Sequence, residues 1–215
     1  MARARVSIVN YGVGNLLSAA RALTHVGADV TITGDRNDIA SADRLVLPGV
    51  GAFGHCMDIL NEGGVGQSVQ AFVQSGRPFL GICVGMQVLF DYSEEFGPVA
   101  GLSLVPGAVR RIPDQDVQGK PQKVPHIGWS ALSPSSAEAG WGDTPLADTN
   151  AGDATYFVHS YTAWPNDDEN RLADAWHGGQ RICAAVRKDN IFGVQFHPEK
   201  SGAAGLAILR NFIRI

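Results

Sequence analysis

The chain is poor in cysteine: 215 residues carry three, at Cys56, Cys83 and Cys183. Three widely spaced cysteines build neither a disulfide framework nor a four-ligand zinc site, which suits a reducing, cytoplasmic setting. Positive charge is not in excess either. Seventeen Lys and Arg against 21 Asp and Glu give a net charge of −4, which argues against a nucleic-acid partner. No apolar run approaches the ~20 residues of a membrane span, so no membrane is expected. Met1 to Arg5 lead into a strand, without the apolar stretch and small-residue cleavage site of a signal peptide. Nucleotide motifs are missing too. The Gly-Lys pair Gly119-Lys120 is followed by Pro121 and closes no phosphate loop. After Gly12-Val13-Gly14, the third glycine of a dinucleotide fingerprint would fall at Leu17. No cofactor and no metal is expected; His55-Cys56 lacks a second ligand pair. What is present is the balance of an ordinary globule, 45% hydrophobic and 18% charged.

The first half alternates strand and helix signals. Strands are expected at 6–9, 30–33, 44–47 and 79–82. Leu16, Leu17, Ala20 and Leu23 recur at helical spacing before Gly27; further helices are expected over 67–74 and from Val84 to Tyr92. Strands separated by helices imply βαβ units and a largely parallel sheet. In the second half, 156–162, 181–187 and 191–196 read as strands, the last two joined by a turn at Lys188-Asp189-Asn190. A closing helix over 203–213 carries Leu206, Leu209, Phe212 and Ile213 on one face. The stretch 134–153, rich in Ser, Ala, Gly, Asp and Pro, reads as a surface loop. No repeat or linker divides the chain, which points to one α/β domain.

The strongest local signal is Gly81-Ile82-Cys83-Val84-Gly85, a G-x-C-x-G between a strand and a helix. It is the cysteine form of a nucleophile elbow, in which a sharp turn lifts the side chain out of the sheet. A helix N-terminus there favours the thiolate. Cys56 and Cys183 lack this setting and read as structural. His197-Pro198-Glu199 follows a strand, so His197 can act as the base and Glu199 can orient it. Acyl transfer also needs donors for an oxyanion. The N–H of Val84 is one, and the loop Pro48-Gly49-Val50-Gly51 offers a second, most directly from Val50 beside Gly51. His25, His126 and His177 sit in no catalytic motif and read as surface or satisfied core positions.

Cys83 in its elbow, Gln87, and His197-Pro198-Glu199 together resemble the class I glutamine amidotransferases. Finer blocks are similar to one branch of that class, the glutaminase subunits of imidazole glycerol phosphate synthase. They are Tyr11 to Leu16, Pro48 to Phe53, Gly81 to Gln87, His126 to Trp129, Tyr156 to Tyr161 and His197 to Ser201. The resemblance implies a single domain over 1–215, with a flavodoxin-like, mostly parallel central sheet flanked by helices and an additional antiparallel strand region. It implies a Cys83–His197–Glu199 triad that hydrolyses glutamine through a thioester. Gln87 and the backbone of His159, Ser160 and Tyr161 would bind the amino-acid end of glutamine. The implied partner is a (β/α)₈ cyclase subunit forming a heterodimer, with Asn15, Trp129, Tyr156 and Lys200 at the contact. Glycines flanking Val50 make rotation of its peptide sterically cheap, and the partner is expected to shift that equilibrium. Asn10 and Ser130 depart from the residues usual in the family, aspartate and asparagine. The rival readings are an amidotransferase subunit of another pathway, a catalytically idle scaffold, and a stand-alone hydrolase.

Overall fold

The computed structural model describes residues 3–136 and 140–215. Its first half runs β1 (Arg5–Val9), α1 (Leu16–His25), β2 (Asp29–Thr33), α2 (Arg36–Ser41), β3 (Leu45–Gly49), α3 (Phe53–Glu62), α4 (Val65–Gln74), β4 (Phe79–Cys83) and α5 (Val84–Gln87). Short strands β5 (Tyr92–Ser93) and β6 (Val99–Ala100) follow, then β7 (Gly107–Arg111), β8 (His126–Ala131) and β9 (Ser133–Pro134). The chain continues through β10 (Ala154–His159), β11 (Tyr161–Pro165), β12 (Arg171–His177), β13 (Gln180–Lys188) and β14 (Ile191–Val194), and closes with α6 (Gly202–Phe212).

The main sheet has the order β2-β1-β3-β4-β14-β13-β12-β9. Its first five strands pair in parallel and the rest antiparallel. Five parallel strands in this order are flavodoxin-like, a topology that places ligands at the carboxyl ends of the strands. Every residue of β3 and β4 is buried. Parallel strands covered on both faces must be apolar throughout, and Leu-Val-Leu and Phe-Leu-Gly-Ile obey that rule. Phe53, Phe72, Phe79, Phe90, Phe196 and Phe212 fill the core. Two smaller sheets lie beyond it, β10-β8 and β11-β7-β5-β6.

Three expectations need correction. The helix after Cys83 ends at Gln87 instead of Tyr92. The carbonyls of Val88, Leu89, Phe90 and Asp91 accept instead from the N–H groups of Leu102, Leu104, Ser103 and Gly101, so tertiary pairing overrides helix propensity. The expected strand 156–162 is broken at Ser160: β10 pairs with β8, whereas β11 pairs with β7. The 134–153 stretch is not wholly on the surface. Trp141, Thr144 and Leu146 are buried, and Trp141 Nε1 donates to the Leu172 carbonyl at 2.9 Å. Residues 137–139 of that stretch lie outside the described residues. In α6, Ile208 joins Leu209 and Phe212 in the core, with Leu206 at its margin.

Candidate active site

The carboxyl ends of β3, β4 and β14 meet at one place, and each delivers part of the site. Cys83 ends β4 with φ +55°, a conformation that costs a non-glycine residue energy and that its surroundings must enforce. The flanking glycines are obligatory. A Cβ on Gly85 would sit 1.8 Å from the Leu47 carbonyl oxygen, and one on Gly81 2.5 Å from the Gly85 oxygen. The helix beyond is one turn long, so it contributes little dipole to the thiol.

The compensating charge comes from His197, just past β14. Its Nδ1 donates to Glu199 Oε1 at 2.8 Å, which leaves Nε2 for the Cys83 thiol, its second hydrogen-bond partner. Both the His197 and Glu199 side chains are almost fully buried. Burial disfavours the imidazolium, but the bonds to Cys83 and Glu199 outweigh it and raise His197 to about 9. Pro198 opens a 3₁₀ turn that brings Glu199 back onto the imidazole. An imidazolium beside a thiol, oriented by a buried carboxylate, is equipped for nucleophilic catalysis.

A cavity of about 310 Å³ opens over Cys83. Val50, Gly51, Val84, Gln87, His159, Ser160, Tyr161 and His197 all line it, so the expected catalytic, oxyanion and substrate positions converge, with Glu199 behind His197. Glu95, Pro125 and Val158 also line it. Glu95 is there because its Oε2 accepts from the Phe53 N–H at 2.7 Å, capping α3, whose Ala52 N-cap has no side-chain acceptor. The Val50 carbonyl is turned onto α3, where it accepts from the Cys56 thiol at 3.5 Å. Among the described residues, no group of three or more His, Cys, Asp or Glu could hold a metal ion.

The family described as glutamine amidotransferase class-I matches residues 7–215 of this chain. The chain belongs to the class I glutamine amidotransferases. It is similar to imidazole glycerol phosphate synthase subunit HisH 1 of Legionella pneumophila strain Paris, with 47% identity covering 98% of this chain and 99% of that protein. Subunit HisH of Syntrophotalea carbinolica is 46% identical, covering 96% and 98%. Among solved structures, PurLQS from Thermotoga maritima superposes with a TM-score of 0.72 at 19% identity, covering 99% of each chain, and speaks for the fold alone.

In this amidotransferase three of the remaining expected residues, Trp129, Tyr156 and Lys200, lie together on a neighbouring face. Trp129 is 57% exposed, which removes it from the core. It pairs across β8 and β10 with Tyr156, ring to ring at 6.0 Å, and Lys200 Nζ lies 5.9 Å from the Tyr156 ring. Ile127, two residues along β8, is exposed as well. Asn15 sits with Pro48, Gly49, Val50 and Glu199, behind the triad. Cys56 and Cys183 are buried, as structural cysteines should be, and burial pushes the Cys183 thiol up to about 12. Asn10 accepts from the Gly12 N–H and Ser130 bonds to His126. Among the described residues no helix is long and apolar enough to cross a membrane.

One site residue was missed: Gln195, fully buried, whose Nε2 lies 3.7 Å from Cys83 Sγ. Its signal was position. It stands two residues before His197, just past the end of β14 at Val194 but within the 191–196 run that reads as a strand, where side chains alternate with period two.

Proposed function

We propose that the chain is the glutaminase subunit of an imidazole glycerol phosphate synthase, working as a heterodimer with a (β/α)₈, HisF-like cyclase subunit in the cytoplasm. The observation that carries the chemistry is the buried His197–Glu199 pair facing Cys83 at the floor of the cavity. Glutamine enters that cavity, with its amino-acid end at Gln87 and the backbone of His159, Ser160 and Tyr161. The Cys83 sulfur attacks the side-chain amide carbon. The oxyanion takes hydrogen bonds from the N–H groups of Val84 and Val50, with Gly51 giving the loop its turn. His197 protonates the departing ammonia, then takes a proton from water as water attacks the thioester. Glutamine and water thus become glutamate and ammonia.

The exposed Ile127, Trp129 and Lys200 and the half-buried Tyr156 support the cyclase docking on this face, with Asn15 as a further contact. Aromatic side chains dominate the energetics of such surfaces. Ammonia then passes to the cyclase, which converts a phosphoribulosyl-aminoimidazole-carboxamide ribotide (PRFAR) to imidazole glycerol phosphate and an aminoimidazole carboxamide ribotide (AICAR). The relatives that bear this subunit's name support the choice of pathway.

The test is glutamate release by the purified chain, alone and with the cyclase subunit and its ribulosyl-phosphate ligand. Turnover that rises at least tenfold in the complex and vanishes in Cys83→Ala is the expected result. Brisk turnover alone, unmoved by the cyclase, would remove the partner assignment.

A further inference from the structure

Six buried or half-buried groups link the Cys83 sulfur to strand β8 through hydrogen bonds, and one carbonyl dictates where every proton lies. Tyr161 O can only accept. It takes bonds from Gln87 Nε2 at 3.0 Å and from His159 Nδ1 at 2.8 Å. Going one way, Gln87 Nε2 must be an NH₂ group, so its second bond, at 2.9 Å, reaches the oxygen of the Gln195 amide. That leaves the Gln195 NH₂ turned to Cys83 Sγ at 3.7 Å. Going the other way, a proton on His159 Nδ1 leaves Nε2 as an acceptor. It meets His126 Nδ1 at 3.2 Å, which must therefore carry the proton. His126 Nε2 is then an acceptor and receives the Ser130 hydroxyl at 2.8 Å. The assignment requires both imidazoles to be neutral. Burial holds His159 down to about 3; burial, with His177 stacked alongside, holds His126 down to about 4.

We infer that Gln195 is a further catalytic residue, whose amide N–H groups stabilise negative charge on the Cys83 sulfur. The chain through Gln87, Tyr161, His159, His126 and Ser130 keeps that amide from turning over. Gln195 itself is completely buried between β4 and β13, so no water competes for its NH₂. A flipped amide would put its oxygen against the sulfur and its NH₂ against the Gln87 NH₂, two repulsive contacts in a dry site. His126 and Ser130 are positioning residues in this scheme. The sulfur is anionic before attack and again when the thioester is cleaved, so the donor acts in both half-reactions. This inference rests on Cys83 being the nucleophile.

The test pairs one variant with one measurement on the unaltered chain. Gln195→Met keeps the volume and removes the donor. Bonds to charged groups are the stronger class, so iodoacetamide alkylation of Cys83 at pH 7 is expected to slow by about tenfold to a hundredfold. In the complex with the cyclase, kcat for glutamine falls by a similar factor while KM stays within about twofold. Unchanged alkylation and kcat, or a loss confined to KM, would overturn the inference. In the unaltered chain, ¹⁵N spectra of the histidine rings should show His126 and His159 neutral and protonated on Nδ1. An Nε2 proton on either ring would break the chain of assignments whether or not the variant folds. A Cys83→Ala chain that still hydrolyses glutamine would instead sink the nucleophile assignment, leaving the ring tautomers as a separate result.

Discussion

The Tyr11 hydroxyl donates to the Pro48 carbonyl at 2.9 Å, a buried bond that ties the loop after β1 to the carboxyl end of β3. Two residues further on, the Cys56 thiol holds the Val50 carbonyl. The peptide units on either side of the Val50 N–H are therefore each pinned by a side chain from another element.

Tyr11→Phe removes the first of these bonds and leaves the Pro48 oxygen without that donor. The expected cost is about 1–3 kcal/mol, a fall of a few degrees in Tm for a chain of this size. Glutaminase kcat in the complex should fall more than KM rises, because the loop positions an oxyanion donor and does not bind the amino-acid end. Thermal melts and steady-state kinetics on the same preparation check both. Unchanged Tm and kcat would mean the bond does not hold the loop.

Stability should report the His197 ion pair through its pH dependence. His197 is raised from 6.5 to about 9, chiefly by Cys83 and Glu199 acting against burial. A group raised on folding stabilises fully below its unfolded value, and that contribution is lost as pH rises through the folded value. Wild-type Tm should therefore decline between about pH 6.5 and 9, and Glu199→Gln should flatten the decline while abolishing turnover. Parallel Tm profiles for the two proteins would contradict the assignment.

Trp141→Ala tests the segment that composition misjudged. The indole is buried and donates to the Leu172 carbonyl on β12, so its loss should cost about 3–5 kcal/mol. Tm should fall by roughly 10 °C, with kcat and KM at 25 °C within about twofold of wild type. A Tm shift under two degrees would return this segment to the surface.

The parallel half of the fold was legible because its strands are short β-rich runs cut by turn residues and separated by helical stretches, whereas its flavodoxin-like order came from the family resemblance. The elbow, His197 and Glu199 were legible because local spacing encodes them. The end of α5 was not. Val84 to Tyr92 is a good helical stretch, and only the distant 101–105 segment, by taking its carbonyls, decides that it stops at Gln87. Helix α3 was overlooked although Phe53, Cys56, Met57 and Leu60 carry its buried face at helical spacing. Trp141 was hidden by the Ser, Ala and Gly around it, since composition averages away one anchoring side chain. Gln195 was invisible for another reason. A buried glutamine just past a strand declares no role until its partners, Gln87 and Cys83, are known from the fold.

If Cys83 attacks the side-chain amide carbon of glutamine, an electrophilic glutamine analogue will label it covalently. The complex with the cyclase would be treated with a diazo-ketone analogue of glutamine and digested, and the modified peptide located by mass spectrometry. One label is expected, on Cys83, formed in step with loss of glutamate release and prevented by excess glutamine. Inactivation with the label on any other residue, or glutamine hydrolysis that persists in Cys83→Ala, would contradict attack by Cys83.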